Sequence, residues 1–170
     1  MGENMTDDIW TGGCQCGAVR YRVLTAPTHP YICHCRMCQK QFGNFFGAFV
    51  EIASRDFKLT RGEISYFKSS DEGARGFCKA CGTPLTYDYA ARPRMTVSIG
   101  SFDRHSELQP EFQYGAEARE PWFEKLATLP SSKLGEGGGD DTYTPEALEK
   151  IRLSSRQHPD HDTKSWPLPP

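Results

Sequence analysis

No stretch of the chain approaches the roughly 18 consecutive apolar residues that a membrane-spanning helix requires, and the opening residues carry Asp7 and Asp8 where a leader would have its apolar core. Basic charge is not in excess either. The 20 Lys and Arg against 22 Asp and Glu leave a formal net charge of -2 and a pI near 6.2, so no broad field attracts nucleic acid. A polybasic segment is also lacking. Met1-Gly2 with Thr6 fits a myristoylation pattern, but without a second anchor a single acyl chain gives only marginal attachment. These absences point to a cytoplasmic protein whose partners are small molecules, with no membrane and no nucleic acid among them. Self-association into a homo-oligomer is left open.

Helical periodicity is scarce too, and no solenoid-type repeat occurs. Ala18 to Leu24 alternates, with Val19, Tyr21 and Val23 on one face and Arg20 and Arg22 on the other, the pattern of a half-buried strand. Residues 45–52, 57–60, 64–68, 75–77, 85–89, 95–99 and 112–114 are rich in aromatic or β-branched residues and are separated by Gly, Pro, Asp or Ser. A mainly β domain is expected, with short helices at 36–42, 121–126 and 145–153. Thr144 and Pro145 suit the N-cap and first helical position of the last of these. The 170 residues divide into a flexible N-terminus, 1–9, a domain at 10–130 and a Gly- and Pro-rich polar tail at 131–170, within which Trp166 could pin the end onto the domain.

What the chain does have is seven cysteines in three tight clusters: Cys14-Gln15-Cys16, Cys33-His34-Cys35-Arg36-Met37-Cys38 and Cys78-Lys79-Ala80-Cys81. An odd count at these spacings suits a metal better than disulfides. Four thiolates close a tetrahedral zinc shell, and three leave a position for water or substrate, so seven reads as one closed and one open site. Residues i and i+2 of a straight strand lie roughly 6.6 Å apart, whereas two sulfurs on one zinc, at about 2.3 Å each, sit near 3.8 Å. The backbone must therefore turn at Cys14-Gln15-Cys16, and Gly12, Gly13, Gly17 and Gly82 flank the turns. Pairing Cys14 and Cys16 with Cys78 and Cys81 keeps the triplet intact; other pairings split it, and spacing alone does not decide between them.

The runs Gly12-Gly13-Cys14-Gln15-Cys16-Gly17-Ala18-Val19-Arg20-Tyr21, Cys33-His34-Cys35-Arg36-Met37-Cys38-Gln39-Lys40 and Phe77-Cys78-Lys79-Ala80-Cys81-Gly82-Thr83-Pro84-Leu85, then Val97-Ser98-Ile99-Gly100-Ser101-Phe102-Asp103, resemble the glutathione-dependent formaldehyde-activating enzyme family, grouped with centromere protein V. The resemblance covers residues 10 to 130. It implies a β-tent fold of antiparallel strands with two zinc ions per chain: a structural one on Cys14, Cys16, Cys78 and Cys81 and a catalytic one on Cys33, Cys35 and Cys38. It also implies a carbon-sulfur lyase of S-(hydroxymethyl)glutathione synthase type, with glutathione or another thiol as cosubstrate and formaldehyde or another aldehyde as its partner.

Three thiolates on Zn²⁺ leave the site negatively charged, which weakens the metal as a Lewis acid and disfavours hydrolysis. A thiol in the fourth position would lose its proton there and face an aldehyde carbon as a nucleophile. His34 and Lys40 are candidates to support a sulfur or relay a proton, against the plainer reading of His34 as a solvent-facing turn residue. Arg36, Lys68, Arg75, Arg92 and Arg94 could meet the carboxylates of glutathione. The aromatic run from Phe42 to Phe49 could wall a pocket, though aromatics on a strand more often build core, and Trp122 and Phe123 stand the same way. The alternative is a non-enzymatic binding module, its second site closed by a protein ligand such as His34 or His105. Redox work by Cys78 and Cys81 ranks last, because Cys14 and Cys16 supply partners for a metal.

Overall fold

The structure, a computed structural model, describes residues 9–131 and 144–167. The expected flexible N-terminus, apart from Ile9, and much of the glycine-rich part of the tail fall outside these residues. Two compact units are distinguished: one runs up to Arg119 and includes the segment from Gln157, and the other spans Glu120 to Arg156.

The first unit is mainly β and holds the ten strands found among the described residues, in two sheets. In the smaller sheet, β1 (Trp10–Gly13) and β5 (Phe57–Arg61) flank β2 (Arg20–Val23), all antiparallel. The larger sheet contains β3 (Thr28–Cys33), β4 (Gly47–Ala53), β6 (Ser65–Lys68), β7 (Gly73–Phe77), β8 (Pro84–Tyr89), β9 (Arg94–Ser98) and β10 (Phe112–Tyr114). Its order is β10-β3-β4-β9-β8-β7-β6, with only β10 and β3 parallel. This is the β-tent arrangement. One α-helix, α1 (Arg36–Phe42), follows β3 and ends at Gly43, whose left-handed backbone stops it.

The period of two assigns the faces. Val50 and Ile52 of β4, Met95 and Val97 of β9 and Leu85 of β8 join Val19, Tyr21 and Val23 in one buried cluster, each side chain contributing about 1.5–3 kcal/mol by leaving water. Tyr21 packs on Phe57 and Phe102 at ring-centroid distances of 4.9 and 5.4 Å, and its hydroxyl lies 2.7 Å from Ser101 Oγ. The opposite face of the larger sheet carries Tyr31, Cys33, Phe49, Glu51, Thr96, Tyr87 and Arg75 across β3, β4, β9, β8 and β7; Leu85 and Tyr87, two residues apart, face opposite ways because the β7–β8 register slips between Gly76 and Phe77. Phe42 of α1 covers Phe49 edge-on at 5.2 Å. The core cluster therefore occupies one face, and the other carries Cys33 and Arg75 beside the Phe42–Phe49 contact.

Residues 157–167 lie along the β1–β2 turn. His158 donates its backbone N–H to Gln15 O at 2.7 Å, Asp162 accepts from Arg20 Nε at 2.9 Å, and Trp166 donates its indole N–H to Cys16 O at 2.6 Å. His158, 2% exposed, also approaches Thr163 Oγ1 at 3.0 Å. In the second unit, α2 (Pro145–Leu153) starts where its residues predict, with Thr144 Oγ1 accepting from the Ala147 N–H at 3.2 Å. A 3-10 turn, Phe123–Thr128, stands at the place of the expected 121–126 helix.

Candidate metal centres and active site

The seven thiols are all free and gather into two groups: Cys14, Cys16, Cys78 and Cys81, and Cys33, Cys35 and Cys38, each with its sulfurs within 4.8 Å of one another. In the first group the Cys14 and Cys16 sulfurs lie 3.6 Å apart, and those of Cys16 and Cys78 lie 4.0 Å apart. These separations bracket the spacing of about 3.8 Å that follows from two zinc–sulfur bonds of about 2.3 Å.

Two similar turns build this group. Cys14 N–H donates to Val19 O at 3.0 Å, and Cys78 N–H donates to Thr83 O at the same distance. Gly17 and Gly82 take φ of 76° and 80°, a region costly to residues with a Cβ, and their N–H groups bond back to Cys14 O and Cys78 O. The Val19 N–H points at Cys14 Sγ, 3.2 Å away. Burial pushes the Cys14 thiol up to about 12 and also raises Cys16. Burial acts the same way on Cys81, but hydrogen bonds from Thr83 and from the Cys16 backbone outweigh it and bring that thiol down to about 6. The donor set fits a closed tetrathiolate zinc and gives little opening for dithiol redox chemistry, since Cys78 is 1% exposed.

The second group stands on the face of the larger sheet opposite the core cluster. Cys33 ends β3, Cys35 occupies the N-cap of α1, and Cys38 lies in its first turn, so one strand-to-helix corner presents all three sulfurs. Strand β10 braces the corner: Cys33 pairs with Tyr114, His34 N–H donates to Tyr114 O at 2.9 Å, and Gly115 comes so close to Cys35 that a Cβ there would stand 2.9 Å from its nitrogen. The hydrogen bond from the Cys38 thiol lowers Cys33 to about 5 against the opposing effect of burial, with help from the Cys35 backbone and the Arg75 charge. Cys38 is raised by the same pairing and by burial.

Among the described residues, no His, Asp or Glu ligand atom joins these three sulfurs. His34 does not face solvent: it is fully buried, with Nε2 2.9 Å from Gln113 Oε1 and its ring edge-on to Phe46. Neither it nor His105 completes the group. Of the cations read as carboxylate partners, Arg36 and Arg75 line a cleft of about 370 Å³ with Lys40, Gln41 and Phe67, while Arg92 and Arg94 line one of about 300 Å³ with Tyr31 and Tyr87. Lys68 lines neither and sits 3.7 Å from Asp71. Arg75 differs from the others, being buried with both terminal nitrogens 3.7 Å from Cys38 Sγ. An arginine between small residues in the strand Gly-Ala-Arg-Gly-Phe was the one sequence hint of that role.

The family model for glutathione-dependent formaldehyde-activating enzymes matches residues 9–117, a stretch that contains both sulfur groups. The chain belongs to this family. A protein of Halomonas elongata, provisionally named as a glutathione-dependent formaldehyde-activating enzyme, is 30% identical over 82 residues, covering 44% of this chain and 52% of its own length. The chain thus spans about half of that relative. A crystal structure of a Rhodobacter sphaeroides protein, a structural genomics target, superposes with a TM-score of 0.50 at 19% identity, over 61% of this chain and 98% of that one. That likeness bears on the fold alone. Among the described residues, no helix is long and apolar enough to cross a membrane.

Proposed function

We propose that the chain is a zinc-dependent carbon-sulfur lyase that makes and breaks the bond between a thiol and an aldehyde, with S-(hydroxymethyl)glutathione as the type substrate. The observation that carries this reading is the inequality of the two sulfur groups: four sulfurs close one, while three, with no fourth ligand among the described residues, make the other. Zinc held by Cys33, Cys35 and Cys38 would supply a coordination position at which an incoming thiol gives up its proton.

In the synthetic direction the thiol sulfur adds to the carbonyl carbon and a proton ends on the former carbonyl oxygen. In the reverse direction the carbon–sulfur bond breaks, and no oxidant or reductant is consumed. The residues of the chain orient these partners. Arg36 and Lys40 stand exposed at the first cleft, where cations suit the carboxylates of glutathione. Tyr31, raised by burial, stays protonated and lines the second cleft as a hydroxyl. Family membership supports a small thiol and an aldehyde as partners.

The test is zinc content together with turnover of S-(hydroxymethyl)glutathione. Two zincs per chain and thiol-dependent turnover are expected, with Cys35→Ala losing one zinc and the activity. Two bound zincs without turnover of this adduct or of adducts with other thiols, or activity unchanged in Cys35→Ala, would refute the reading.

A further inference from the structure

Arg75 is only 5% exposed, and a permanent cation taken that far from water needs an anion beside it. Among the described residues no carboxylate pairs with it. Its neighbours are the Gln41 side-chain oxygen, which accepts from Nη1, the face of Tyr87 at 4.8 Å, and the sulfur of Cys38, 3.7 Å from both Nη1 and Nη2. A neutral amide and a ring face do not balance a full charge. The sulfur of a metal-ligating Cys38, necessarily deprotonated, would, and a planar fork with both tips equidistant from that sulfur is aimed at it.

We infer that Arg75 is a positioning residue for thiol binding: it holds the Cys38 sulfur and offsets the negative charge that builds up when an exogenous thiolate joins the three-cysteine centre. The inference rests on the proposed function. Three thiolates on Zn²⁺ carry one net negative charge and a fourth makes two, a cost that grows with burial unless a cation lies within contact. Arg75 provides that cation from the β7 side, locked by β8 through Tyr87 and by α1 through Gln41. Its fork is thereby engaged with sulfur, which leaves Arg36 and Lys40 to meet substrate carboxylates in the same cleft. Arg75 thus acts on the affinity for thiol through Cys38 and not on the aldehyde.

The test uses the full chain with cobalt(II) in place of zinc, following sulfur-to-cobalt charge-transfer absorption as glutathione is added. Competition with a chelator reads the metal affinity of each centre separately. Outer partners of metal ligands are typically worth about 10- to 100-fold, so Arg75→Met is expected to weaken glutathione binding and metal affinity at the three-cysteine centre by that range. The four-cysteine centre should be unchanged. Arg75→Lys, which keeps the charge but not the fork, should fall between Arg75→Met and the parent. Gln41→Glu, a carboxylate that competes for the guanidinium, should weaken glutathione binding without altering the buried strand, and it decides the matter if Arg75→Met does not fold. Parent-like glutathione and metal binding in Arg75→Met, or in Gln41→Glu where it stands in, would overturn the inference. If glutathione leaves the parent spectrum unchanged, the proposed function fails, and the metal affinity of the Arg75 variants alone then decides this inference.

Discussion

Replacing Arg20 with Met tests how the four-cysteine end of the molecule is held. Arg20 follows the Cys14 turn on β2, and its guanidinium grips Asp103 in a two-pronged pair at 2.8 and 2.5 Å, with side chains 3% and 7% exposed. Thr11 Oγ1 donates a third hydrogen bond to Asp103 at 2.6 Å. Removing one partner of a buried pair strands the other charge, at about 3–5 kcal/mol. The second contact, to Asp162, is half exposed and adds at most about 1 kcal/mol. The Thr11 bond survives, so the expected loss at neutral pH is about 3–4 kcal/mol, a large part of a typical stability of about 5–15 kcal/mol. Burial works to raise the Asp103 carboxyl, but the Arg20 and Thr11 hydrogen bonds and the guanidinium charge outweigh it, leaving Asp103 below the ordinary value. A lowered carboxylate pKa stabilises the fold fully above the unfolded value, about 3.9, and that contribution fades as pH falls through the folded value. In the variant, burial without Arg20 raises Asp103, so the gap between parent and Arg20→Met should be largest near neutral pH and narrow as pH falls toward and below about 4. Urea unfolding of the zinc-loaded protein measures it. The double variant Arg20→Met with Asp103→Leu should recover most of the loss. A single variant costing under about 1 kcal/mol, or a double variant as unstable as the single, would refute the reasoning.

Gly17→Ala should destabilise the chain by about 1–2 kcal/mol from its φ of 76° alone, and by more because the new Cβ would stand 2.0 Å from His158 Cδ2; thermal melts check this, and an unchanged Tm would contradict it. Trp166→Ala removes the indole hydrogen bond to the Cys16 carbonyl, worth about 0.5–1.5 kcal/mol net. Zinc should then leave the four-cysteine centre for a chelator up to about 10-fold faster, read by stopped-flow absorbance. Leu85→Ala, at a fully buried position of β8, should cost about 2–5 kcal/mol in denaturant midpoint experiments, and a loss under 1 kcal/mol would mean that the two sheets do not share this core.

Much of this architecture is legible in the sequence because its signals are local. The period-two runs mark eight of the ten strands, and Thr144-Pro145 marks the start of α2. β1 escaped because Gly12 and Gly13 read as turn flanks, although both pair with β2. β3 escaped because Pro30 lies inside it and His29 takes a φ of 50°; the strand tolerates them where its register with β4 slips between Thr28 and Tyr31. The turn within each cysteine cluster could be anticipated, since knuckle geometry is a property of short segments, but which clusters share a centre came only from the family resemblance, because spacing left the pairings open. The burial of His34, the engagement of Arg75 with Cys38, and the packing of residues 157–167 on the Cys14–Gly17 turn depend on contacts distant in sequence. Arg75 meets a sulfur 37 positions away and Trp166 meets a carbonyl 150 positions away, and no local pattern encodes either.

The central claim is that the three-cysteine centre takes a thiol as its remaining ligand. A crystal structure of the zinc-replete protein soaked with glutathione tests it directly. The account predicts zinc on Cys33, Cys35 and Cys38 with the glutathione sulfur bound at about 2.3 Å. A protein side chain in that fourth position, or no metal at the three cysteines while the four-cysteine centre is filled, would contradict it.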